Sequence, residues 1–170
     1  MAALKAFVGH SFSDRDDMVV RAFQDFLTAL SKTIPGFVWD HAKPAEPKLV
    51  ANKVLALMAD RNLFIAICTR NEKAVAENAL KALPFTNVLY APGDDFVWKT
   101  SDWVIQEIGL AIGKSLPLII LVEDGVRLPG GLQGDIEHIR FDRSNPHKAF
   151  PRILEMITSL SGTLRLTGPR

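Results

Sequence analysis

The stretch with the most chemical content is Lys99-Thr100-Ser101-Asp102-Trp103-Val104-Ile105-Gln106-Glu107. Ser101 is a helix-capping residue type and Asp102 suits the positive end of a helix dipole, so a helix is expected to begin here. At about 100° per residue, Val104, Ile105, Ile108, Ala111 and Ile112 form one apolar stripe. Trp103 and Glu107 are four apart, which stacks them on one flank of that stripe near the helix start. An indole one turn below a carboxylate can form the floor for a ribose and a base. The alternative is that Trp103 half-packs on the core and Glu107 is a solvated flank residue.

A second candidate lies nearer the N-terminus. The apolar run Ala6-Phe7-Val8 runs into Gly9-His10-Ser11-Phe12-Ser13-Asp14, and His10, Ser11 and Phe12 line a site by position. This loop excludes several chemistries. It has one glycine, not the glycine-rich spacing of a dinucleotide fingerprint, and no Gly-x-x-x-x-Gly-Lys-Ser/Thr stretch exists in the chain. A phospho-receiver would want an aspartate ending the third strand, and that run ends in Cys68-Thr69. The acids Asp14, Asp16 and Asp17 sit where a helix's first turn favours them, and Ser13 to Asp16 reads as a capping box. The one cysteine, Cys68, ends a buried strand and behaves as a small hydrophobe. No Cys/His cluster has metal-ligand spacing, so no metal is expected. Trp39 packs under a sheet edge, and His138 and His147 need no function.

The elements that position these residues alternate between apolar runs and helical patterns. Ala6 to Val8, Phe37 to Trp39, Leu63 to Cys68, Pro117 to Val122 and Ile136 to Phe141 read as five strands, the last an edge strand. Helical spacing runs through Val19 to Leu30, Val50 to Met58, Asp102 to Lys114 and Phe150 to Leu160, with a further helical piece at Glu72 to Leu83. Asp40 to Pro47 is a loop stiffened by two prolines, and Arg70 to Thr100 is a lid, a partner surface or a decorated loop. This alternation predicts an α/β, flavodoxin-like, doubly wound sheet of five mainly parallel strands in the order 2-1-3-4-5. Ligands then bind beyond the carboxyl ends of the strands, beside the first.

With 170 residues, a single domain over 1–162 and a tail or linker over 163–170 are expected. A net charge of +1 argues against a nucleic-acid or membrane-surface partner. The N-terminus carries no secretory signal pattern and no apolar run reaches membrane-spanning length, so a cytoplasmic protein is expected.

At these residues the chain resembles the TIR (Toll/interleukin-1 receptor) domain family, specifically its NAD-cleaving branch and the bacterial members of it. The resemblance spans roughly Lys5 to Ser161. Ala6 to Asp14 is similar to the family's first-strand motif, and Phe37-Val38-Trp39-Asp40 to its second strand and the start of its BB loop. Ser101-Asp102-Trp103 through Glu107 looks like the Ser-x-Trp-x-x-x-Glu pattern of its catalytic members. The resemblance implies that Glu107 is essential to cleaving the nicotinamide–ribose bond of NAD, giving ADP-ribose or a cyclised isomer. NAD would be a substrate, with no further cofactor. Trp103, Ser101, His10, Ser11, Phe12, Asp40 and Lys99 would bind it, with Arg70, Arg15 and Lys43 also candidates for its diphosphate. The family further implies homotypic self-association, a fused or partner sensor or effector domain, and a role in immune or antiphage signalling. Two departures stand out: the BB-loop segment His41 to Pro47 lacks the usual glycine, and Arg70 to Thr100 is longer than the usual insert. The alternatives are a non-catalytic TIR scaffold, which usually lacks the glutamate, and a nucleoside deoxyribosyltransferase-like enzyme. The latter shares the fold and a glutamate near the ribose.

Overall fold

The computed structural model describes residues 3–41, 50–129 and 137–166. Five parallel strands form the central sheet: β1 (Leu4–His10), β2 (Phe37–His41), β3 (Leu63–Cys68), β8 (Leu118–Glu123) and β9 (His138–Phe141). Their order is β2-β1-β3-β8-β9, which is 2-1-3-4-5 when only sheet strands are counted. Four short strands fall between β3 and β8: β4 (Glu72–Ala74), β5 (Lys81–Ala82), β6 (Leu89–Tyr90) and β7 (Val97–Lys99). The helices are α1 (Asp17–Thr33), α2 (Val50–Leu57), α3 (Asp102–Gly113) and α4 (Phe150–Leu166). Among the described residues no helix is long and apolar enough to cross a membrane.

The continuous apolar runs follow from burial of the sheet on both faces. Successive strand residues point to opposite faces. Leu4, Ala6 and Val8 of β1 and Leu63, Ile65 and Ile67 of β3 join the core under α1 and α4. Phe7 of β1 and Phe64, Ala66 and Cys68 of β3 join a second core that includes Val54 and Met58 beside α2, and Val104, Ile108 and Ala111 of α3. Gly9, two residues beyond Phe7, therefore faces α3, and His10 faces α1.

A clamp of charged groups ties the carboxyl ends of the strands together. Arg143 donates to both carboxylate oxygens of Glu123, at 2.8 Å each, and to Asp16 at 2.7 Å. Thr69 donates to the other oxygen of Asp16, and the Arg70 backbone N–H to Glu123. Asp16 and Glu123 are buried. The expected capping box therefore does not form: the Ser13 hydroxyl caps nothing and the Asp16 carboxylate turns to Thr69 and Arg143.

Two further expectations are corrected. Glu72 to Leu83 is not the helix expected: it holds only a single 3-10 turn, Glu77–Ala79. Its start pairs with β7 as an antiparallel ribbon, with the Lys73 amine over the Trp98 ring, and Lys81–Ala82 pairs with Leu89–Tyr90. Pairing with the strand that leads into α3 satisfies its backbone, which outweighs local helix propensity. The final helix continues to Leu166, so no frayed tail begins at Thr163, whose hydroxyl bonds the Ser159 carbonyl. The proline loop lies outside the described residues beyond His41, as does Lys43.

Candidate active site

Helix α3 begins as its sequence dictates: the Ser101 hydroxyl accepts the Trp103 backbone N–H at 3.2 Å. Its rotation about its own axis differs from the stripe expected. The buried face is Val104, Glu107, Ile108 and Ala111, whereas Ile112 is 45 % exposed. Glu107 thus sits within the apolar face, 2 % exposed, and not on a solvated flank.

Room for that carboxyl exists because β1 has a glycine beneath it. A Cβ at Gly9 would overlap Oε2 of Glu107 and approach Cζ of Phe64 to 2.8 Å. Neither Glu107 oxygen has a hydrogen-bond partner, and the Trp103 indole nitrogen, also buried, has none either. Burial pushes the Glu107 carboxyl up to about 8; the indole N–H of Trp103, close by but outside hydrogen-bond geometry, partly offsets this. A buried polar group without a partner costs about 1–3 kcal/mol, so such a cluster marks a place where a ligand or water supplies the missing partners. Thr100, 1 % exposed, carries a fourth unpartnered buried atom, its hydroxyl oxygen.

The other expected site residues fall elsewhere. His10, Ser11 and Phe12 line a groove of about 420 Å³ on the α1 face together with His41, Gln24, Arg21, Asp14 and Asp17. Glu107 and Trp103 do not line that groove, because residues 9 and 10 of a strand point to opposite faces. His10 Nδ1 bonds the Ser11 carbonyl at 2.8 Å and so carries the proton. Its Nε2 then accepts from His41 Nδ1 at 2.9 Å and from the Gln24 amide at 3.3 Å. Burial lowers the His10 pKa, His41 adds to this, and the Ser11 carbonyl works against it. Asp40 holds the His41 backbone N–H and the Arg61 guanidinium on the edge strand. Lys99 is paired with Asp102 and, at 3.8 Å, with Glu72. Arg70 donates to the Asp124 carbonyl and pairs with Glu123. The structure therefore unites Glu107 and Trp103, with Ser101 as the cap that starts their helix, and leaves the remaining candidates apart.

Gly9 and Thr100 were not singled out from the sequence as site residues. The signal for Gly9 was a glycine in an otherwise apolar strand, a mark of close approach by another group. Gly9→Ala is expected to keep the fold at a cost of about 1–3 kcal/mol while displacing the carboxyl. Activity that depends on Glu107 should fall roughly 10²-fold, the penalty of a misplacement near 1 Å. A simple packing defect would leave the pH–rate profile in place; here its inflection should move away from about 8. An unmoved inflection with full activity would show that Gly9 does not position the acid.

No protein-family model matches the sequence, and the search of curated proteins finds no match. Among solved structures, the chain is similar to the CMP N-glycosidase BcmB of Clostridium botulinum. That likeness has a TM-score of 0.52 at 16 % identity and covers 89 % of this chain and 98 % of the other. At that identity it shows a common fold.

Proposed function

We propose that this chain cleaves the bond between a ribose and the base nitrogen of a nucleotide, with Glu107 as the catalytic carboxyl and NAD as substrate. The observation that carries the reading is the buried Glu107 carboxyl with both oxygens unpartnered, set over a strand glycine beside an unpartnered indole N–H. The likeness to the TIR family's Ser-x-Trp-x-x-x-Glu pattern supports it. So does the shared fold of a protein described as a nucleotide N-glycosidase.

Breaking the C1′–N bond leaves its electron pair on the base and positive charge on the sugar. Nicotinamide departs neutral because the ring was cationic, so it needs no proton. The Glu107 carboxylate stabilises the sugar cation and can accept a ribose hydroxyl proton. Water then bonds to C1′ and releases its proton, yielding ADP-ribose; attack from within the substrate would yield a cyclic isomer instead. Burial holds Glu107 mostly protonated at neutral pH, and the pyridinium charge draws out the carboxylate form. Trp103, partly exposed and one turn nearer the helix start, is the side chain placed to yield as substrate enters.

The CMP N-glycosidase likeness favours a second reading, a nucleoside monophosphate with an uncharged base. There the base must be protonated as it leaves, and protonated Glu107 is the donor. The two readings differ in the sign of their pH dependence. With NAD, kcat/KM of the free enzyme should rise through about pH 8 to a plateau; with an uncharged base it should fall there.

The test is mass spectrometry of products from the purified chain over a concentration series, since homotypic assembly is part of the proposal. NAD, CMP and deoxynucleosides are supplied separately. Nicotinamide with ADP-ribose or its cyclic isomer is the expected result. Cytosine release from CMP without nicotinamide release would transfer the assignment to the second reading, and cleavage of deoxynucleosides alone would point to a deoxyribosyltransferase. No cleavage at any concentration would leave a scaffold.

A further inference from the structure

The Thr100 hydroxyl is buried, beside the Cys68 thiol, yet without a hydrogen-bond partner. The thiol, a weak acceptor, lies close by but holds the hydroxyl only loosely, outside hydrogen-bond geometry. The sheet register places this hydroxyl relative to Glu107. Gly9, against which Glu107 rests, is paired with Ala66, and Cys68 lies two residues further along β3. At about 3.3 Å per residue, Thr100 is therefore roughly 7 Å nearer the rim. Trp103 falls between Thr100 and Glu107 in the chain, one helical turn from Glu107 on α3, while Thr100 precedes the Ser101 cap, outside the helix. A carboxyl, an indole N–H and a hydroxyl, all buried and unsatisfied, thus climb from the sheet interior toward its rim.

We propose that Thr100 recognises the departing base, donating its hydroxyl hydrogen to a carboxamide oxygen carried on the ring. This rests on the reading of Glu107 as the group that works at the sugar. The carboxamide oxygen of nicotinamide lies five bonds from the anomeric carbon, about 5 Å away, of the order of the climb from Glu107 to Thr100. Cytosine's oxygen, on the ring carbon next to the glycosidic nitrogen, lies only about 3 Å away and falls short. A phosphate is the poorer occupant. Lys99 is already paired with Asp102 and Glu72, and the Ser101 hydroxyl already caps α3. The substrate class is accordingly a nucleotide whose base carries a carboxamide set off the ring, as nicotinamide does and cytosine or an unsubstituted pyridine does not.

The experiment measures binding of free nicotinamide, cytosine and pyridine to the whole chain by ligand-observed NMR, for the parent, Thr100→Ser and Thr100→Val. Nicotinamide should bind the parent and Thr100→Ser alike and bind Thr100→Val about tenfold more weakly, whereas cytosine should not distinguish the three. Pyridine should not distinguish the three. Thr100→Val should melt no lower than the parent, because a methyl replaces a hydroxyl that has no partner. Equal binding by Thr100→Val would overturn the proposal, as would loss of affinity only in step with loss of stability. So would a parent that binds no nicotinamide. A parent that binds nicotinamide through Thr100 yet cleaves no nucleotide would keep this subsite and discard the reaction assigned to Glu107.

Discussion

Glu107→Gln should stop base release and, at the same time, make the protein harder to melt above neutral pH. The catalytic loss follows from removing the one charge at the sugar, roughly 10²–10³-fold or more. The gain in stability follows from linkage. The folded carboxyl titrates near 8 because of burial, against 4.5 for an ordinary glutamate. Between those values the unfolded chain has released the proton and the folded chain still holds it. Stability is therefore fully present below about pH 4.5, is lost progressively as pH rises, and levels off above about 8. At the plateau the cost approaches roughly 5 kcal/mol, an upper figure that water penetration reduces. Glutamine cannot ionise and escapes this cost. Thermal melts should therefore separate the two proteins at pH 9 by several degrees, at about 2–4 °C per kcal/mol for this size, and bring them together near pH 4.5. Identical pH dependence in both would mean that the acid is solvated in solution. The site would then have no dry carboxyl to offer a substrate.

The second large effect is purely structural. Arg143→Ala should destabilise the fold by about 3–5 kcal/mol, read as a lower denaturation midpoint with an unchanged slope. Arg143 is the shared donor to Glu123 and Asp16, whose side chains are 0 % and 1 % exposed. Without it, Asp16 retains the Thr69 hydroxyl, and Glu123 retains Arg70 and its backbone N–H. Only Glu123 then keeps a guanidinium, and that one is 40 % exposed, while the buried Asp16 carboxylate is left on the Thr69 hydroxyl. Arg143→Lys should recover part of the loss, since an ammonium cannot reproduce the two parallel bonds to Glu123. A cost below about 1 kcal/mol would show that the clamp is a surface ion pair in its energetics. The clamp matters to the proposed site because it ties the loops after β3 and β8 together at the rim.

Much of this was legible before any fold was known. The runs Leu63 to Cys68 and Pro117 to Val122 read as strands covered on both faces, and alternation with helices predicted the sheet order that is observed. Ser101 capped its helix as its type requires, and Glu107 was singled out by type and spacing. The extension between β3 and α3 was misread at Glu72 to Leu83, because helix propensity is local whereas the pairing of β4 with β7 is not.

What the sequence determined by itself is the architecture, the start of α3 and the identity of the one acid worth testing. What only the tertiary structure decided is which way that acid points. Helical periodicity orders residues around an axis, but rotation about the axis is chosen by the surface the helix meets. Here that surface has a gap at Gly9, in the first strand, and Glu107 turns inward to fill it. The same strand sends His10 to the opposite face, so neighbours in the chain serve different grooves. The clamp of Asp16, Thr69, Glu123 and Arg143 likewise joins four distant segments through buried charge that no local pattern encodes.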